Sequence, residues 1–229
     1  MNNNLRVKAI ILRRTNYGEA DRIITVLTRE QGILSVMARG VRREKSRLAG
    51  GIELFSVCDL TLAKGRANRS DLWTLTGAKI VRSFYDIIED FGKMEFGYEA
   101  IKLTARAAED VDEPEYFDLL EKTFANLNNS GISRKITEAW FYLNFAKIGG
   151  AELNARTDKN GMNLVEDARY IWDGREQVFT FAPNGKYGVD EIKILRILSS
   201  NLPAIVAKIS GVNDFMDNVL LVAKSVAKL

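Results

Sequence analysis

The chain has 229 residues, with 33 Lys/Arg against 30 Asp/Glu, one cysteine and no histidine. A lone cysteine excludes an internal disulfide. The chain also lacks the roughly four Cys/His ligands of a structural zinc site and any imidazole for acid–base or nucleophilic catalysis. Apolar residues at 46% are enough for a packed core. No apolar run reaches the roughly 18 residues of a membrane span, and the opening MNNNLRVKAI lacks a signal-peptide core, so the cytoplasm is the expected compartment.

The net charge of +3 is unevenly spread: residues 1–80 hold 15 Lys/Arg against 7 Asp/Glu, and residues 81–229 hold 18 against 23. A basic first third beside an acidic remainder predicts two modules, 1–80 and 81–229, with different partners. The first module reads as strands at 7–14, 22–28, 33–39, 52–63 and 71–80, rich in Ile, Val, Leu and Thr and punctuated by Gly18, Gly32, Gly40, Gly50-Gly51 and Gly65. In the fourth, Leu54, Ser56, Cys58, Leu60 and Leu62 share one face and Glu53, Phe55, Val57, Asp59 and Thr61 the other. Five short strands in about 80 residues predict a small barrel. The OB-fold is the five-stranded candidate; strand count alone leaves an SH3-like barrel open.

After Val81 the period turns helical. Met94, Tyr98, Ile101, Ala105 and Ala108 form one stripe, Phe117, Leu120, Phe124 and Leu127 a second, and Phe215, Val219, Val222, Val226 and Leu229 a third. Pro114 suits a first helical position, and AWFYLNFAKI at 139–148 is apolar nearly all round, as a buried central helix would be. Residues 149–188 interrupt this pattern with ARYIWDGREQVFTF, in which Asp173-Gly174 predicts a tight hairpin between strands 170–172 and 177–181. The fold class is therefore α+β: a five-stranded barrel, then a helical domain carrying a β-hairpin excursion.

Candidate functional residues concentrate in the first module. ARGVRREKSRLAGG at 38–51 places Arg39, Arg42, Arg43, Lys45 and Arg47 against the single acid Glu44 on one connection. Such a cluster can track a phosphate backbone by releasing its counterions, without base specificity; the bland alternative is a solvated loop. Arg13 and Arg14 end the first strand, Arg22 opens the second, and Lys64, Arg66 and Arg69 populate the fourth connection. The first and fourth connections flank the binding face of an OB-fold. Tyr17 and Trp73, beside those connections, are the candidate stacking platforms. The acids Glu109, Asp110, Asp112, Glu113, Glu115 and Asp118 could gather a metal, but acids at a helix start also complement its dipole, and no metal site is assigned. There is no GxxxxGK[ST] phosphate loop, and Cys58 alternates with core leucines. No cofactor and no catalytic residue is expected.

Three stretches, YGEADRI at 17–23, TREQG at 28–32 and ARGVRREKSRLAG at 38–50, resemble the N-terminal domain of the RecO family of bacterial recombination mediators in order and spacing. The resemblance implies an OB-fold followed by a helical domain. It implies binding of single- and double-stranded DNA, annealing of complementary strands and, with RecR, help in loading RecA on DNA coated by single-strand-binding protein, whose C-terminal tail it contacts; together with the residue reading above, the protein is expected to be a non-catalytic mediator. Arg39, Arg42, Arg43, Lys45 and Arg47 match the family's basic stretch and inherit its DNA-backbone contact; Arg22 matches the end of YGEADR and has a structural alternative, pairing with an acid such as Glu19. Many relatives carry a four-cysteine zinc element where this chain has 149–188 without cysteine, so the hairpin excursion stands in place of that element. The competing readings are an RNA-binding barrel of translation or RNA processing, a protein-only adaptor with a basic docking face and, more remotely, a carboxylate-metal nuclease.

Overall fold

The computed structural model describes residues 4–64, 72–109, 111 and 113–228. The first strands are β1 (Asn4–Tyr17), β2 (Asp21–Thr28), β3 (Gly32–Ala38), β4 (Ser56–Ala63) and β5 (Trp73–Ser83), with a 3-10 turn at Ala49–Gly51 before β4. They close a barrel in the order β1-β2-β3-β5-β4, with β1 antiparallel to both β2 and β4 and β3 parallel to β5. This is the OB-fold. Ala9, Ile11, Val26, Val36, Cys58 and Leu60 fill its interior. The expected inward face of the fourth strand holds from Ser56 to Leu62.

Ile10, Ile11 and Leu12 are all buried, although strand alternation would bury only every second residue. A bulge between Ile11 and Arg13 explains the run. Ile11 points into the barrel, while Ile10, paired with Leu27, belongs to the outer face, which helices cover.

β4 starts four residues later than the sequence reading placed it. Phe55 is held in the left-handed region (φ 52°) and is 2% exposed, a conformation costing a non-glycine residue about 1–2 kcal/mol. Its ring packs edge-on against Tyr98 and Phe124, with centroids 5.1 and 5.4 Å away. The strand therefore breaks so that Phe55 can join a helical core. That core is built by α1 (Asp86–Glu89), α2 (Phe91–Ala107) and α3 (Pro114–Leu127). Gly97 is required at the crossing, since a Cβ there would stand 2.7 Å from the Phe55 ring. The α3 stripe is fully buried as expected; on α2 the buried set is Phe96, Gly97, Ala100, Ile101 and Thr104, and Tyr98 of the expected stripe is exposed.

α2 packs on β1 and α3 on β2. Arg29 at the β2–β3 turn holds α3 through a two-pronged pair with Asp118, at 2.9 and 3.1 Å. The guanidinium holds the Asp118 carboxyl below its ordinary 3.8. A depressed folded-state pKa gives stability that is present above the ordinary value and is lost as pH falls through the lower one. Wild type should therefore lose more urea resistance than Asp118→Asn between neutral pH and pH values below that ordinary 3.8. Equal losses would show that the pair contributes nothing.

The contacts divide the chain into two compact units, Met1–Asn128 and Asn129–Leu229. The boundary read from sequence at 80/81 falls within β5, three residues before that strand ends at Ser83; by contacts, α1–α3 group with the barrel. The second unit holds α4 (Arg134–Ile148), the hairpin strands β6 (Tyr170–Asp173) and β7 (Val178–Phe181), α5 (Val189–Ser200), the short α6 (Pro203–Val206) and α7 (Met216–Val226). α4 is central and buried, packing on α5, α6 and α7.

The hairpin departs from the expected tight turn. Asp173 pairs with Val178, leaving a four-residue loop in which Gln177 takes the positive φ (54°). Asp173 instead accepts the backbone N–H groups of Arg175 and Glu176, which lower its pKa. The hairpin hydrogen-bonds to α7: Trp172 Nε1 donates to Ser225 Oγ (3.0 Å), and Gln177 Nε2 to the Ser225 and Val226 carbonyls. Tyr170 and Phe179 supply its buried surface, whereas Ile171 and Phe181 are exposed and Trp172 is half-buried. Backbone-directed polar groups tie the rest of 149–188. Asp158 Oδ1 accepts from Asn160 and Met162 N–H, Asn154 Oδ1 from Arg156 and Thr157 N–H, and Arg169 donates to the Gly185 and Lys186 carbonyls.

Candidate nucleic-acid interface

The basic connection between β3 and β4 is a seated loop. Gly40 turns the chain at φ 62° and its N–H donates to Asp21 Oδ1 (2.7 Å). Arg42 N–H donates to the Ala20 carbonyl at 2.9 Å and its guanidinium to the Gly18 carbonyl at 3.3 Å. Two further turns follow, Arg43 N–H to Gly40 O and Ser46 N–H to Arg43 O. The β1–β2 turn is thus the platform on which the connection rests. Gly18 supplies its positive φ (56°), and Asp21 caps its neighbour. The stretches YGEADRI and ARGVRREKS are two halves of one structure.

Seating leaves the charges free. Arg39, Arg42, Arg43, Lys45 and Arg47 are all exposed, and among the described residues none of them makes an ion pair. The strand registers bring the other connections to the same barrel end: Arg22 sits opposite Ala38, and Met37 opposite Thr74. The β1–β2 turn, the basic connection and the start of β5 therefore neighbour one another.

The remaining candidates separate by environment. Arg13 is exposed on the outer face, opposite Thr25. Arg14, shifted by the bulge, lies opposite the interior residue Ile24 and is engaged by Glu53 at 2.7 Å; it ties β1 to the chain before β4. Arg22 donates to Asn16 Oδ1 at 3.2 Å, so its structural partner is Asn16 instead of Glu19. Lys64 is exposed and lies over the Trp73 ring, 5.4 Å from its centroid. Trp73 is half-buried against the barrel core, with part of its π surface taken by Lys64, whereas Tyr17 is 54% exposed. Arg66 and Arg69 lie outside the described residues, as do Asp110 and Asp112.

Two groups of cations escaped the sequence reading. Arg6 and Lys8 on β1 and Lys79 on β5 are exposed on the barrel surface, where alternation with Val7, Ala9 and Ile80 was the available signal. Lys102 and Arg106 on α2 are exposed beside Arg13, and only the packing of α2 on β1 brings them there. Asp118 of the acidic run is held by Arg29, and among the described residues no three Cys, Asp or Glu are grouped to hold a metal ion. Burial pushes the Cys58 thiol pKa up, which disfavours a nucleophilic thiolate.

A five-stranded OB barrel with exposed cations on the adjoining connections of one end, packed with helices, defines a class of barrel-plus-helix proteins with a cationic barrel end. Comparison with known proteins narrows the class. Residues 1–84 match the family described as Recombination protein O N terminal. The chain is 30% identical over 207 residues to DNA repair protein RecO of Dehalococcoides mccartyi strain ATCC BAA-2266 / KCTC 15142 / 195, covering 86% of this chain and 79% of that one. It is 29% identical over 206 residues to the RecO of strain CBDB1, with the same coverages, 86% and 79%. With DNA repair protein RecO of Heliobacterium modesticaldum it shares 37% identity over 115 residues, 50% of this chain and 41% of that one. The chain belongs to the RecO family of DNA repair proteins. Among the described residues no helix is long and apolar enough to cross a membrane.

Proposed function

We propose that this protein is a non-catalytic recombination mediator that binds single- and double-stranded DNA through its barrel, anneals complementary strands and, with RecR, helps load RecA on DNA coated by single-strand-binding protein. The tail of that protein is its second protein partner, and its place of work is the cytoplasm, at the nucleoid. The observation that carries the reading is the seated cationic connection: four exposed cations, Arg39, Arg43, Lys45 and Arg47, held at one end of an OB barrel by Arg42, Gly40 and Asp21. Annealing needs no active site, because two strands on one cationic surface lose mutual repulsion and gain effective concentration.

The test is annealing of complementary oligonucleotides, alone and coated with single-strand-binding protein. The protein should accelerate pairing in both cases, and raised salt should abolish the effect. Equal affinity for RNA of the same length, or no acceleration, would redirect the assignment to an RNA-binding barrel or a protein adaptor.

A further inference from the structure

An OB-fold takes its ligand on the outer face of its second and third strands, and in this chain α3 packs on β2, with α2 on the neighbouring β1. Ile10 and Leu27 are sealed from solvent there. What remains open is a groove of about 500 Å³ with Leu12, Arg13, Thr25 and Ile33 of the barrel on one side and Tyr98, Ile101, Lys102, Ala105, Arg106 and Glu109 along α2 on the other. Its lining has two layers. Leu12, Ile33, Ile101 and Ala105 are apolar, and Tyr98 adds an aromatic ring that is 46% exposed, steadied by its edge contact with Phe55. Arg13, Lys102 and Arg106, three cations against the single acid Glu109, are exposed around that lining, and among the described residues none of the three cations makes an ion pair. Tyr98, Lys102 and Arg106 are four residues apart, so they line one side of α2.

We infer that this groove is a single-strand-selective DNA subsite, in which Tyr98 receives an unpaired base and Arg13, Lys102 and Arg106 hold the flanking phosphates. A single strand is an amphipathic polyanion: apolar base faces beside a charged backbone. That is the complement of an apolar groove with a cationic rim. A duplex offers the same phosphates but keeps its base faces stacked inside, so it meets the rim and leaves the apolar lining unused. The groove includes Arg13, five residues before Gly18 of the β1–β2 turn that seats the basic connection, so one strand can cross both. The subsite rests on the DNA-binding reading above and adds a consequence: bases leave it when they pair, which favours release of annealed product.

The experiment compares three forms of the full chain by fluorescence anisotropy: wild type, Tyr98→Ala, and the double variant Lys102→Ala/Arg106→Ala. The probes are a labelled oligothymidylate and a labelled blunt duplex. Tyr98→Ala should weaken the single strand by about 5-fold or more, the loss of one stacked base, and leave the duplex nearly unchanged. The double variant should flatten the salt slope on the single strand by about 1.4. Because Tyr98 also touches Phe55, Tyr98→Phe serves as a control that keeps the ring and should retain affinity. If the wild type binds neither probe, the DNA-binding reading fails and takes the subsite with it. If alanine at Arg39, Arg43, Lys45 and Arg47 weakens binding while the α2 variants bind both probes like wild type, the connection is the DNA site and the groove is not. Displacement of the wild-type chain's oligothymidylate by an acidic, hydrophobic-ended peptide, with Tyr98→Ala still binding DNA normally, would overturn the inference in favour of a protein partner.

Discussion

Alanine at Arg39, Arg43, Lys45 and Arg47 together is expected to weaken single-stranded DNA binding roughly 200-fold near 0.15 M salt and to flatten the salt slope by about 2.8. Each phosphate neutralised on a single strand contributes about −0.7 to that slope, or roughly 4-fold in affinity at this ionic strength. The loss should be similar for every sequence, because phosphate contacts carry no base information. Stability should hardly move. The four side chains are exposed, and the hydrogen bonds that seat the connection come from Gly40, Arg42 and Asp21, which remain. Arg42 is deliberately kept, since its guanidinium holds the Gly18 carbonyl and its removal would mix a structural effect with an electrostatic one. Anisotropy titrations at several salt concentrations, beside a thermal melt, make the measurement. An unchanged slope would make the cluster a solvated surface and nothing more.

The second large effect is on stability. Phe179→Ala should cost about 3–5 kcal/mol, read as the fall in urea midpoint at constant slope. The Phe179 ring is fully buried with Trp172, Tyr187 and Tyr170 around it, at centroid distances of 4.9, 5.7 and 6.4 Å. Its carbonyl also accepts the Lys159 N–H, joining the hairpin to the preceding loop. Rings that pack on one another from different segments cannot collapse into the space a phenyl leaves, so the cavity cost adds to the transfer cost. Trp172→Ala should cost less, about 1–3 kcal/mol, because its ring is only half-buried and the main loss is its bond to Ser225. The same segment should be indifferent to chelator, since hydrogen bonds to Asp158, Asn154 and Asp173 make the local cross-links. A chelator-induced drop in melting temperature, or a Phe179→Ala protein as stable as wild type, would refute this account of 149–188.

The five barrel strands were legible because their residues carry the information locally: β-branched runs, alternation in β4, and glycines at the turns Gly18, Gly32 and Gly40 where φ is positive. The α3 stripe, the central α4 and the basic connection were legible for the same reason, as periodicity and charge are properties of neighbouring residues. Tertiary structure decided the rest, wherever a residue's role depends on something distant in the chain. Phe55 reads as one more strand residue; only the cleft formed by Tyr98, Phe124 and the bare Gly97 makes it worth a left-handed backbone. Arg13 and Arg14 are equivalent in sequence, and one bulge turns the first outward and gives the second to Glu53. Tyr98 looked like core, since the stripe through it has helical spacing, yet α2 is rotated so that Phe96 and Ala100 take the buried side and Tyr98 opens on the groove. Spacing specifies that a helix has an apolar face and says nothing of how much of that face its neighbours can cover. That coverage was set by the packing of α2 on β1, and it left both the apolar lining and the cations Lys102 and Arg106 beside the barrel.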